Sequence, residues 1–229
     1  MKVAIIIQGR NVNFEKLVDS FSECDYKVLF CGWEDDEIKS KGNLEVLLLK
    51  KPDVILPMFC NYQSEGVLGG ISYLVDKGYT HFLKLRWDMI PNKNDVNRLI
   101  ELLVSKYVEN NKPIFYSVSL NEKSMIQDWL LFGNKLDHLK YWQIKNNDVH
   151  GSDVAEHIFF FNLVKYDNLP LKLSDLSNIE LITKYFDFCC KEILEKDIKI
   201  DMFVGNSKYT NTVDIKHYGT IDKTHITNY

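Results

Sequence analysis

Arginine is almost absent from this sequence: Arg10, Arg86 and Arg98 are the only three among 28 basic residues. An arginine kept in so lysine-biased a chain marks a position worth following. No apolar run approaches the ~20 residues of a membrane span, the longest being short stretches such as Val3–Ile7 and His157–Phe161. Only Lys2 precedes Val3–Ile7, so no signal region is expected and a cytoplasmic location is. Five cysteines (Cys24, Cys31, Cys60, Cys189, Cys190) are an odd number with no CxxC pair, which excludes a zinc ribbon and argues against a disulfide scaffold. Buried thiols in the core are the expected use. Positive charge is not in excess, with net charge −4 and pI near 5.9, so wrapping a nucleic-acid backbone is not expected. The turn after the first strand reads QGRN, without the further glycines of a dinucleotide-binding turn, and no Walker A motif occurs.

What remains is a 229-residue chain with 45% apolar residues, enough to build one sizeable core. Lys2–Gln8 (KVAIIIQ) is apolar without alternation, the pattern of a strand buried on both faces. A helix follows over Phe14–Cys24, then a strand over Tyr26–Gly32 and a short one over Leu44–Leu49. After an extended piece at Asp53–Leu56, a loop reaches Asn61 and a helix runs over Tyr62–Lys77 to Gly78. Gly69–Gly70 inside that helix suggests close packing against a sheet. His81–Leu85 is the next buried strand, followed by a helix over Val96–Val108 and a strand over Ile114–Leu120. Further helices are expected over Leu136–Trp142, Asp153–Lys165 and, as one long element, Ile179–Lys196. Alternating strands and helices predict an α/β fold whose mostly parallel central sheet is covered by helices. No repeat or linker divides the chain, which reads as one domain over 1–229: a nucleotide-binding half, 1–120, then an acceptor half and tail, 121–229.

Ligands of open α/β sheets bind beyond the carboxyl ends of strands. That rule selects Gln8–Arg10, Gly32–Glu34, Arg86–Asp88 and the residues near Ser117–Ser119. Asp88, delivered by a buried strand, suits a hard divalent cation, or equally the capping of a turn. Lys84 and Arg86 beside it suit phosphate. Asp128 and Glu156 sit among aromatic and aliphatic neighbours, where a carboxylate acquires the raised pKa of a general base. Of the two, Asp128 is the preferred base, because Trp129 and Phe132 beside it would offer an apolar wall for the acceptor sugar ring. His217 in the tail is a candidate metal ligand, whereas His81, His138 and His150 show no ligand spacing.

These segments together resemble a known family. IIIQGR, GWED, NYQSEGVLGGISYLVDKGYTHFLKLRWDM, IQDWLLFGN and AEHIFFFN, in this order over about residues 3–165, are similar to the WavE-type lipopolysaccharide-synthesis family. The resemblance implies a GT-A-like fold of nucleotide-diphospho-sugar transferases. It places Gln8, Gly9, Arg10, Trp33, Asn61, Gln63, Lys84 and Arg86 at the nucleotide-sugar, although family members commonly carry proline where Arg10 stands. Asp88 would match the last acid of a metal-binding DxD signature, with Arg86 in place of the first, which implies either a weakly bound metal or one held largely by the diphosphate. Asp128 and Glu156 match the family's later acids, and His217 has no counterpart.

The function so implied is transfer of a sugar from a nucleotide-diphosphate carrier, UDP as first choice, to a glycan hydroxyl. Manganese or magnesium would assist, and a lipid-linked acceptor would bring the protein to a membrane surface. The alternatives are a nucleotidyltransferase of similar architecture and a catalytically silent sugar- or nucleotide-binding protein.

Overall fold

The computed structural model describes residues 1–53, 55–56, 59–116, 118–119, 125–144, 155–204 and 207–210. In chain order the elements are β1 (Val3–Gln8), α1 (Phe14–Ser20), β2 (Lys27–Trp33), β3 (Leu44–Leu49), α2 (Cys60–Asp76), β4 (His81–Arg86), β5 (Met89–Pro91) and α3 (Val96–Asn110). The second half adds β6 (Ile114–Phe115), β7 (Val118–Ser119), β8 (Met125–Ile126), β9 (Leu130–Asn134), α4 (Lys135–Trp142) and α5 (Ala155–Tyr166). It closes with α6 (Ile179–Ile182), β10 (Asp187–Phe188), α7 (Cys190–Glu195), β11 (Ile200–Val204) and β12 (Ser207–Thr210).

Seven strands form the central sheet in the order β10-β6-β9-β4-β1-β2-β3. All neighbours are parallel except β9, which runs antiparallel between β4 and β6. This is the expected α/β architecture. The unbroken apolar run of β1 is explained by its place at the centre. Val3, Ile5 and Ile7 face the layer that holds Leu17, Leu99 and Leu103 of α1 and α3. Ala4 and Ile6 face the opposite layer, with Val67 and Ile71 of α2 and Tyr141 and Trp142 of α4. Glycines let α2 lie close to the sheet: a Cβ added at Gly70 would stand 2.6 Å from Cys31 Sγ, and one at Gly69 2.7 Å from Leu49 Cδ1. All five cysteines are free and buried, as expected of core thiols.

Three expectations about elements are corrected. Ile179–Lys196 is not one helix. It breaks after Ile182, where the Thr183 hydroxyl bonds the Ile179 carbonyl at 2.9 Å, and Asp187–Phe188 extends to pair with Ile114–Phe115 at the sheet edge. Buried aromatics at 186 and 188 fit a strand as well as a helix, and pairing with β6 decides. The strand expected over Ile114–Leu120 is divided between the main sheet and the small β7–β8 hairpin. Asn61 lies in the first turn of α2, not in a loop. The start of α4 has a clear local cause: Asn134 Oδ1 accepts from the N–H groups of Leu136 and Asp137, while Asp137 Oδ2 accepts from Asn134 N–H.

Candidate functional site

Three adjacent parallel strands end at one edge and set the site. Gln8 closes β1, in register with Arg86 at the end of β4, and Trp33 closes β2. Beyond them lies a cleft of about 480 Å³, a size suited to a small ligand. Gln8, Gly9, Arg10, Trp33, Gln63 and Arg86, all selected from the sequence, line it. Gly9 turns the chain there with φ +138°, and a Cβ at that position would stand 1.9 Å from Trp87 Cδ1. Only glycine allows the Trp87 ring this close.

Aromatic rings build the walls. Trp33 and Tyr62 meet edge to face with centroids 5.0 Å apart, and Phe59 meets Tyr62 at 5.9 Å. Trp87 stands on the other side, its backbone N–H bonded to the Gln8 carbonyl at 3.1 Å. Flat aromatic walls suit a flat ring such as a nucleobase. Gln63 Oε1 is buried and has no hydrogen-bond partner among the described residues. Three cationic side chains, Arg10, Lys51 and Arg86, line the cleft against one carboxylate, Asp36. Lys51 is ion-paired with Asp35, and Asp36 Oδ2 accepts the Trp33 N–H at 2.8 Å.

Arg86 joins the cleft to a buried charged cluster. Its Nε and Nη2 reach Asp88 Oδ1 and Oδ2 at 2.6 and 2.9 Å, a two-pronged pair. Its Nη1 stands 3.6 Å from Asp128 Oδ1, and the guanidinium lies over the Trp129 ring at 5.4 Å. Burial acts against the charge, but Asp88 and Asp128 outweigh it and hold the Arg86 pKa above its ordinary value. Lys84, one pleat back on β4, is wholly buried. It donates to the Asp128 carbonyl, stands 3.8 Å from Asp128 Oδ2 and lies 4.5 Å from the centre of the Trp142 ring. Burial pulls its pKa down to about 8, and Asp128 opposes that shift.

The two acids selected from the sequence, 28 residues apart in the chain, act on one another here. Asp128 is buried at 1% exposure, and its Oδ1 accepts no hydrogen bond from the described residues. Glu156, half-buried in the first turn of α5, has its pKa pushed up to about 7, by burial first and then by the Asp128 charge. Arg86 and Lys84 pull the other way. The remaining expectations fare differently. Asn61 turns from this cleft to a neighbouring cavity, and its Oδ1 holds Leu56 N–H at 3.1 Å. Trp129 and Phe132 do not form an acceptor wall: Phe132 lies in β9 inside the sheet, against Tyr107, and Trp129, in the turn before β9, is buried against Tyr116. His138 is a core histidine whose pKa burial lowers to about 4, and its Nε2 lies 3.0 Å from the Phe82 carbonyl. His150 and His217 lie outside the described residues. Trp87 falls within the strand end Arg86–Asp88 that the sequence selects, whereas Tyr62 and Lys51 are ligand candidates only in the structure. Lys51 lies just beyond the end of β3, where the strand-end rule would have found it.

The divalent cation implied by the resemblance needs several oxygen donors. Asp88 gives both its oxygens to Arg86, and among the described residues no three Asp, Glu, His or Cys side chains come together as a metal-binding group. The donor set of the described residues alone does not fit a protein-held cation.

No family model matches the chain, and no curated protein does. Solved structures that align with the chain include a cytidylyltransferase from Leptospira borgpetersenii: identity 14%, covering 82% of this chain and 76% of that one, TM-score 0.46. A glycosyltransferase involved in the glycosylation of the major capsid of PBCV-1 aligns at 12% identity over 82% and 81%, TM-score 0.42. A mannose-1-phosphate geranyltransferase from Thermus thermophilus aligns at 9% over 77% and 67%, TM-score 0.44. Likenesses this distant carry no argument about activity, so function is argued from the site. Among the described residues no helix is long and apolar enough to cross a membrane.

Proposed function

We propose that the protein is a glycosyltransferase that takes a sugar from a nucleoside-diphosphate carrier and passes it to a hydroxyl of a glycan. The observation that carries this reading is the position of Arg86. It lines an aromatic cleft sized for a nucleotide and, on its other side, meets a buried acid cluster containing a carboxylate with pKa near 7. The base would lie between the rings of Trp33, Tyr62 and Trp87, with the diphosphate toward Arg86. As the bond from the anomeric carbon to the diphosphate oxygen breaks, negative charge gathers on the leaving group, where Arg86 and Arg10 meet it. The acceptor hydroxyl forms the new bond to the anomeric carbon and gives its proton to a carboxylate. Glu156 suits that task better than Asp128, because its pKa lies near working pH and it keeps some exposure. Asp128 instead serves as the buried counter-ion of Lys84 and Arg86.

UDP is the first carrier to test. A lipid-linked acceptor would bring the protein to a membrane surface, and no nucleic acid is involved. Thermal melts against nucleoside diphosphates, nucleotide sugars and free sugars test the reading. One family of nucleoside diphosphates at saturation should raise stability by a few kcal/mol, following RT ln(1 + [L]/Kd). Melts unmoved by every nucleotide would overturn it.

A further inference from the structure

We propose that the cleft holds the nucleotide's diphosphate without a divalent cation, and that Asp88 is a positioning residue aiming the Arg86 guanidinium at it. This rests on the donor reading above and adds how the phosphate charge is met.

A diphosphate can be neutralised by a metal ion or by guanidinium and ammonium groups. The cleft is furnished for the second. Its lining cations are Arg10, Lys51 and Arg86, and its one carboxylate, Asp36, is committed to the Trp33 backbone N–H. Asp88, which the resemblance assigns to a metal, is committed as well. Its remaining lone pairs could reach a cation only beside the Arg86 guanidinium, setting like charges together in a site where Asp88 is 8% exposed. As the chain is folded, Asp88 grips two of the five guanidinium N–H groups, Asp128 stands by Nη1, and Trp129 supports the flat face. Arg86 is thereby fixed on several sides while still lining the cleft. A rotamer-rich side chain held this way loses little further freedom when phosphate binds, which favours affinity.

Calorimetric titration of the chelator-stripped full-length protein with UDP, GDP, CDP and ADP, repeated in saturating manganese, tests this. The preferred nucleotide should bind with affinities within about twofold in the two conditions. The electron spin resonance signal of free manganese should not fall further when protein is added to manganese and nucleotide. Asp88→Asn should weaken binding about tenfold, by the same factor with and without manganese. Arg10→Gln, at an exposed position where folding is not at stake, should weaken it in both conditions too. Binding that needs manganese, or a manganese enhancement abolished by Asp88→Asn, would overturn the inference and leave the donor reading standing. No binding of any nucleoside diphosphate in either condition would overturn the donor reading, and this inference with it.

Discussion

The Lys84 ammonium and the Asp128 carboxylate, 3.8 Å apart and both essentially inaccessible to water, tie β4 to the turn that leads into β9. A second bond, from Lys84 to the Asp128 carbonyl, fixes the same turn. Breaking a buried pair from one side leaves an uncompensated charge and costs about 3–5 kcal/mol. Lys84→Met should therefore lower unfolding stability by about that much in denaturant titrations. Lys84→Met combined with Asp128→Asn should lose less than the sum of the single changes, with a coupling of about 0.5–3 kcal/mol. Additive losses would mean that the two groups do not act as a pair.

Glu156 gives a pH dependence of definite sign. Its folded pKa of about 7 lies above the ordinary 4.5, so folding favours the protonated form. Its contribution to stability is present at acid pH and is lost as pH rises from about 4.5 through about 7. Glu156→Gln should raise the melting temperature above pH 7, with the gain disappearing by about pH 4.5. Each kcal/mol corresponds to roughly 2–4 °C in a chain of this size. Melts over that range check it. A gain that grows toward acid pH would contradict the assignment.

The same carboxylate should shape the rate. If Glu156 takes the acceptor proton, turnover falls as pH drops through the Glu156 pKa of about 7. Glu156→Gln should lose about 10²–10⁴ in kcat and keep its affinity for the nucleoside diphosphate. Unchanged turnover in that variant would move the base elsewhere.

Gly9 is the third point of leverage. With φ at +138° and a Cβ position 1.9 Å from Trp87 Cδ1, Gly9→Ala must displace the Trp87 ring. Stability should fall by about 1–3 kcal/mol, as in an overpacked core. Nucleotide affinity should fall with it, because a wall of the cleft moves. Fluorescence titration in Trp87-only and Trp33-only backgrounds separates the two effects. Full affinity after the substitution would remove Trp87 from the binding wall.

The cleft was legible in the sequence because it follows from chain-local facts. An apolar strand that ends in QGR, another that ends in GW and a third that ends in LRWD must deliver those residues to one edge of a parallel sheet. The packing role of Gly69–Gly70 was legible for the same reason. Long-range pairing was not. Nothing near Asp128 reveals that β9 inserts between β4 and β6, placing its carboxylate behind Arg86, 42 positions earlier. That insertion also buries Phe132 of β9 within the sheet layers. Nor does RxD spacing tell whether Asp88 faces a ligand or turns back onto Arg86, since side-chain rotation across one turn decides it. Asn61 and Gln63, two residues apart on a helix, fall on different faces, so a motif containing both could not assign both to one cleft.

A crystal structure of the protein with UDP, or with whichever nucleoside diphosphate stabilises it most, tests the central claim most directly. The expected result is a base among Trp33, Tyr62 and Trp87, with a phosphate oxygen within about 3 Å of the Arg86 guanidinium. A nucleotide seated elsewhere, as in the cavity lined by Glu15, Lys16 and Asn92, with Arg86 untouched, would contradict it.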